Sequence, residues 1–284
     1  MNKNILELLQ SSEDLSQYAG LDQLRDEMET IDANIMELFL KFLISPNPDI
    51  RYSAIKRLRE AASMGRDISS MLPSLQQLYA DKNFPSHLLN WKNEYFSIGG
   101  EAVTTTALYY YKQGQVSELE TLAALSPFIG SVAIHALSGF NTLSEIEPFT
   151  PFLHKMLNGD RIRERASFVL TKIYWLNHDW EQIKQLINHV CEDVRLGAIA
   201  MLDNFAEAEQ DIEPLLSSLV EIFEHREPDF DETRRAVANI FIWFGPRKKG
   251  KPLIIAGVDV LQIPEVQAEF KNLEQFIRKA RRGR

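Results

Sequence analysis

One stretch near the C-terminal end comes close to a motif that carries chemistry. Gly245, Gly250 and Lys251 nearly complete the phosphate-binding pattern G-x-x-x-x-G-K-[ST]. In such a loop, backbone N–H groups cradle phosphates and a hydroxyl holds magnesium. Here Pro252 stands where the hydroxyl is needed, and the segment follows a helical pattern rather than a strand. The expected reading is a basic turn. Ser53 and Lys56 match the S-x-x-K pattern of an activated serine, but no other part of that catalytic set is present. The histidines are His87, His135, His154, His178, His189 and His225, and no two lie three or four residues apart. His189 and Cys191 are two apart, which is not a metal-ligating spacing. Cys191 is the single cysteine, so no internal disulfide can form, and it is expected to be a small packed thiol. No GxSxG, HExxH or Gly-rich dinucleotide turn occurs. The expectation is no catalytic residue, no metal and no cofactor.

Any site must therefore be carried by the elements themselves, and Met36 to Ala62 shows their form. Met36, Leu38, Phe39, Phe42 and Leu43 make an apolar stripe at helical spacing. Ser45-Pro46-Asn47-Pro48 stops that helix, because proline cannot continue it. Asp49 stands where an N-cap carboxylate would open a second helix. Ile50, Ala54 and Leu58 then share one face, and the small Ala54 allows a close neighbour.

The pattern recurs. An apolar residue, a cation, an alanine three residues later and a large apolar residue four further on are found at Ile50-Arg51, Ile162-Arg163 and Val194-Arg195. Weaker copies start at Val103 and Val132, and another is read at Glu232, Ala236 and Ile240. Starts at 50, 103, 132, 162, 194 and 232 are separated by 53, 29, 30, 32 and 38 residues, so the first gap suggests a hidden degenerate unit. Amphipathic first helices precede most copies, including 71–80, 118–125, 146–157, 180–190 and 212–223. Strand-period alternation is absent before residue 250, and 252–261 could be strand or connector. Arg51, Arg163 and Arg195 are expected to pair with turn or neighbouring carboxylates and to stack as a ladder.

Asp49-Ile50-Arg51 and Asp193-Val194-Arg195, each with alanine three residues after the arginine, resemble the HEAT-repeat (armadillo-like) family of α-solenoids. The resemblance is strongest at 36–62, 146–172, 181–206 and 212–241. It implies an all-α, right-handed α-solenoid of about six helical hairpins. Residues 1–35 would form an acidic helical cap, 36–245 the repeats, and 246–284 a basic turn and final helix. Within the cap, Asn4 to Leu9 is expected to be helical, Gly20 to break the chain, and Leu21 to Phe42 to run nearly unbroken. The family spans scaffolds, transport receptors, lyase subunits and DNA glycosylases, so it sets architecture and not function.

Charge narrows the partner. The total is −9, yet residues 246–284 carry +6, leaving −15 on the first 245. An acidic body disfavours a nucleic-acid backbone and suits a basic protein. The opening MNKNILELLQSSED lacks the apolar run of a signal peptide, and no stretch approaches the roughly 20 apolar residues of a membrane span, so a cytoplasmic, membrane-free protein is expected. In the HEAT-like solenoid the second helices line the concave face. Positions two and six beyond each start are expected to face solvent there, nominating Tyr52, Lys56, Thr105, Tyr109, Glu164, Phe168 and Leu196 for partner contact. Lys248, Lys249, Lys251, Arg278, Arg281 and Arg282 are candidate contacts of the basic tail.

The expected function is non-enzymatic protein binding, concretely an immunity or inhibitor protein masking a basic toxin or enzyme. One rival is a HEAT-like DNA-binding or glycosylase-type protein, which would need exposed tryptophan, a carboxylate and a basic groove. Tyr109-Tyr110-Tyr111, Trp175, Trp180 and Trp243 supply the aromatics. The other rival is a lyase-type subunit acting with a partner chain.

Overall fold

Asn47, not Asp49, caps the second helix of the leading pair. Its Oδ1 accepts the Asp49 N–H at 2.9 Å, and Pro48 takes the first helical position. Proline is at ease there because its missing N–H is one that no helical bond needs. The cap therefore moves upstream, and Asp49 joins the first turn, where its charge complements the helix dipole. These details come from a computed structural model, which describes residues 3–24, 33–80, 98–140, 142–159, 162–225, 227–244, 254–255, 258–269 and 271–272. The chain divides into two compact units, Met1–Phe149 and Thr150–Arg284.

The first unit begins with α1 (Lys3–Leu9) and α2 (Asp14–Gln23). Gly20, expected to break the chain, sits inside α2. A Cβ there would lie 2.9 Å from Leu9 Cδ2 and 3.0 Å from the Leu9 backbone N, so the glycine serves close packing of α2 on α1. Three helical pairs follow. They are α3 (Ala33–Leu43) with α4 (Pro48–Ser63), α5 (Leu72–Ala80) with α6 (Ile98–Lys112), and α7 (Val116–Ala124) with α8 (Pro127–Leu137). The second helices touch in succession, α4 on α6 and α6 on α8. A four-residue helix, α9 (Leu143–Ile146), ends the unit's α-helices. Since α5 packs directly on α6, the long first gap contains the first helix of the second pair, and no extra unit stands between them among the described residues. Gly99 and Gly100 lie buried in the first turn of α6.

The second unit repeats this plan. Its pairs are α10 (Thr150–Leu157) with α11 (Arg163–Leu176), and α12 (Trp180–Ile187) with α13 (Glu192–Glu207). Third comes α14 (Leu216–Glu221), flanked by 3-10 turns, followed by α15 (Asp231–Phe244). Again the second helices stack, α11 on α13 and α13 on α15. The fold class is all-α, of the stacked helical pairs of an α-solenoid, with six pairs among the described residues. Residues 252–261 include a two-residue antiparallel hairpin, β1 (Ile254–Ile255) with β2 (Val258–Asp259), and then a 3-10 turn. Residues 264–269 and 271–272 are helical. No described helix is long and apolar enough to cross a membrane.

Burial of large apolar side chains drives both units. Phe39, Leu58, Leu75 and Phe140 fill the first, and Phe152, Val169, Leu202 and Phe241 the second. Each such side chain contributes roughly 1.5–3 kcal/mol. Small residues set the closest approach, at α11 and α13. A Cβ on Gly197 would sit 2.0 Å from the Glu164 carbonyl oxygen. Beside it the Ser167 hydroxyl donates to the Val194 carbonyl at 2.6 Å.

The recurring arginines staple the turns, mainly through backbone carbonyls. Arg51 Nη1 donates to the Ser45 and Pro46 carbonyls, and Arg163 Nε to the Gly159 carbonyl. Arg195 is fully buried and donates to the His189 and Val190 carbonyls of its own turn. It also reaches forward, to the Asp229 carbonyl and the Thr233 hydroxyl, with its guanidinium 3.8 Å from the Phe230 ring centre. In α15 the equivalent residue is Arg234, which donates to the His225 carbonyl and pairs with Asp231 and, at 3.5 Å, with Glu265. This corrects the register of the last copy. It starts at Thr233, with Val237 and Phe241 on the buried face, while Glu232 is exposed.

Candidate functional site

The second helices present the candidate surface. α6 packs on its first helix α5 and on α4 and α8, and α11 packs on α10, α12 and α13, so little of either meets solvent. This overturns the expected exposure at three positions. Thr105 is 0 %, Tyr109 6 % and Phe168 7 % exposed. Thr105 Oγ1 donates within α6 to the Glu101 carbonyl at 2.8 Å. The Tyr109 hydroxyl donates to Asp67 Oδ1 at 3.1 Å. Tyr52, Lys56, Glu164 and Leu196 do keep part of their surface in solvent. The basic-tail candidates Lys248, Lys249, Lys251, Arg278, Arg281 and Arg282 lie outside the described residues, as does the 245–252 loop.

In the first unit, Tyr52 and Lys56 of α4 come together with a pair the sequence did not single out. Glu101, in the first turn of α6, is 4 % exposed, and both its oxygens lie 2.9 Å from Arg59 Nη1. Burial pushes the Glu101 carboxyl up, while Arg59 and Lys56 oppose the shift. Burial likewise raises the Tyr52 phenol, helped by the Glu101 charge. A carboxylate held at both oxygens by a guanidinium is positioned to join α4 to α6 rather than to move protons.

In the second unit the starts of α11, α13 and α15 gather carboxylates. Burial raises the Glu164 carboxyl above the usual range, and Asp193 and Glu232 raise it further against the pull of Arg165. Burial also raises Glu192, with Glu232, Asp193 and Asp229 adding to it and Arg195 opposing. Of the cations at these helix starts, Arg165 and Arg195 are buried and Arg163 is half-buried, so acids outnumber cations on the outward side. Arg235, further along α15, is the exposed cation of that helix. Leu196 lies on the same face of α13. Glu192, Asp193, Asp229 and Glu232 escaped sequence reasoning as a group. Their one signal is an acid recurring beside each helix-opening arginine.

Other candidates resolve more simply. Cys191 is half-buried at the start of α13, with Arg163 Nη1 3.2 Å from its Sγ. Of the three consecutive tyrosines, Tyr109 and Tyr111 are buried and Tyr110 is half-buried. Trp175 stacks on Phe205 with ring centres 4.5 Å apart and meets Trp180 edge-on at 5.1 Å. Those rings engage one another rather than frame an open slot for a base. The Trp243 side chain lies outside the described residues. Among the described residues no three His, Cys, Asp or Glu side chains gather closely enough to hold a metal ion.

No protein-family model matches the chain, and no curated protein matches it. Solved structures similar to it include a designed armadillo repeat protein, YIII(Dq)4CqI. That protein is 15 % identical over 83 % of this chain and 98 % of its own, with a TM-score of 0.34. Another is an engineered protein of the Northeast Structural Genomics Consortium, 14 % identical over 86 % of this chain and 78 % of its own, with a TM-score of 0.30. Likenesses at these scores carry no argument about what the chain binds.

Proposed function

We propose that this chain is a non-enzymatic, cytoplasmic protein-binding module that receives a basic partner protein on the acidic face of its second unit. The observation behind this reading is the set of carboxylates at the starts of α11, α13 and α15, where burial and then the neighbouring acids raise Glu164 and Glu192. Helix dipoles relieve part of the repulsion. Arginine or lysine from a partner would relieve the rest, and Leu196 adds an apolar contact in the same face. The net charge of −15 over the first 245 residues would steer such a partner inward. A protein that masks a basic toxin or enzyme, as an immunity or inhibitor protein does, is the concrete form of this reading.

The test is affinity purification of the full chain from its native host at low and physiological salt. A variant with Glu164, Glu192 and Glu232 all changed to Gln runs alongside. The expected result is a basic protein retained by the wild type, weakened by salt and lost from the variant. Acidic proteins, or retention indifferent to both salt and the variant, would overturn the reading. A mobility shift with duplex DNA at low salt would favour the nucleic-acid rival instead.

A further inference from the structure

Helix α2 is apolar on two faces, and only one has a partner within the fold. Gly20, Leu21 and Leu24 are buried. On another face, Leu15 is 84 % and Tyr18 48 % exposed. These two are three residues apart and therefore neighbours on the helix surface. A helix that packs on one side needs only one apolar stripe, and a second one left in solvent marks a contact surface.

The exposed stripe borders a groove of about 440 Å³ between α2 and the start of α4. Leu15, Tyr18 and Tyr52 give it apolar walls above the buried Ile50, and Asp14 and Asp49 supply its charge. No lysine or arginine is among its lining residues. The Asn47 amide links the two carboxylate-bearing turns, with Nδ2 donating to Asp14 Oδ2 at 2.9 Å and Oδ1 accepting the Asp49 N–H at 2.9 Å. Both acids sit in first turns, where each helix end offers about half a positive charge. A full carboxylate exceeds that, so each rim keeps a net negative field, and Glu13 adds a third acid just before α2.

We propose that this groove binds a linear segment of a partner protein with one large aliphatic or aromatic side chain and an arginine or lysine within three residues of it. The apolar side chain lies among Leu15, Tyr18, Ile50 and Tyr52, and the cation lies between Asp14 and Asp49. The proposal rests on the protein-binding reading and gives it a second site, separate from the acidic face of α11, α13 and α15. Tyr52 carries the groove onto the face of α4 that also holds Lys56 and Arg59.

The test is selection of a phage-displayed linear peptide library on the immobilised full chain. Fluorescence polarisation then measures the recovered peptides on variants whose folding is checked by circular dichroism. Recovered sequences should pair an apolar residue with arginine or lysine. Leu15→Glu should weaken them at least tenfold, although its added charge alone would strengthen a basic peptide. Tyr18→Ala should weaken them about fivefold, and Asp14→Asn with Asp49→Asn should flatten their salt dependence. Recovery of peptides lacking cations, full affinity on Leu15→Glu, or no recovery at all would overturn the groove. Peptides weakened by the triple Gln variant of the second unit but not by Leu15→Glu would overturn the groove while leaving the protein-binding reading in place.

Discussion

Changing Arg195 to Ala should unfold the second unit far more readily than the matching change at Arg51 disturbs the first. Arg195 has four hydrogen-bond acceptors and a ring contact, and none of its side chain meets solvent. Hydrogen bonds from a charged donor contribute roughly 1.5–3 kcal/mol each. A cation over an aromatic face adds about 1–2 kcal/mol. The gross interaction is then about 10 kcal/mol, of which removing the guanidinium from water offsets several. A net loss of about 4 kcal/mol remains, or about 12 °C in Tm for a unit of this size. Arg51 makes two carbonyl contacts within its own turn from a partly exposed position. Its loss should cost about 1 kcal/mol, near 3 °C. Thermal unfolding followed by circular dichroism, with calorimetry to separate the units, checks both. Equal shifts for the two variants would show that the forward contacts of Arg195 contribute nothing, and the stapling argument would fail.

Further outcomes follow from other contacts. Gly197→Ala pushes a methyl group into the Glu164 carbonyl and should cost about 3 kcal/mol in chemical denaturation. Gly139→Ala, whose Cβ would meet its nearest atom at 3.7 Å, serves as the tolerated control. Asn47→Ala removes both a helix cap and the link to Asp14, and should lower stability by about 1–2 kcal/mol. Glu164 and Glu192 have carboxyls raised in the fold, so the stability they contribute is present at acid pH and is lost as pH rises through their folded values. Glu164→Gln with Glu192→Gln should therefore raise Tm at pH 7, leave it nearly unchanged at pH 4, and weaken partner binding. A Tm gain that is the same at both pH values would refute the linkage.

The architecture was legible because one short pattern repeats and its parts have separate physical reasons. The apolar residue and the alanine set packing, and the arginine closes the turn. The pattern misled where two residue types could serve. At the last copy, Glu232 fits the four-residue spacing to Ala236 and Ile240. The position that matters is the one before the arginine, which is Thr233. The surface was harder to read. Spacing on a single helix made Thr105, Tyr109 and Phe168 look outward, but burial there is set by neighbouring helices that local periodicity does not reveal. The acidic face was hidden for the same reason. Glu164, Glu192 and Glu232 are far apart in sequence and are brought together because Gly197 and Ser167 let α11 and α13 close on each other and α13 packs in turn on α15.

The forward reach of the arginines gives the second unit a direction in time. Arg195 leaves the ribosome 34 residues before Asp229 and 38 before Thr233, two of its four hydrogen-bond partners. Arg163 waits 28 residues for its contact with Cys191, and Arg234 binds Glu265 later still. Arg195 thus emerges as a buried cation with half of its hydrogen-bond partners still to come, and the pair that follows supplies them. Synthesis stalled after α13 would leave that unit open at its growing end, the stage at which a chaperone or a protease would find it.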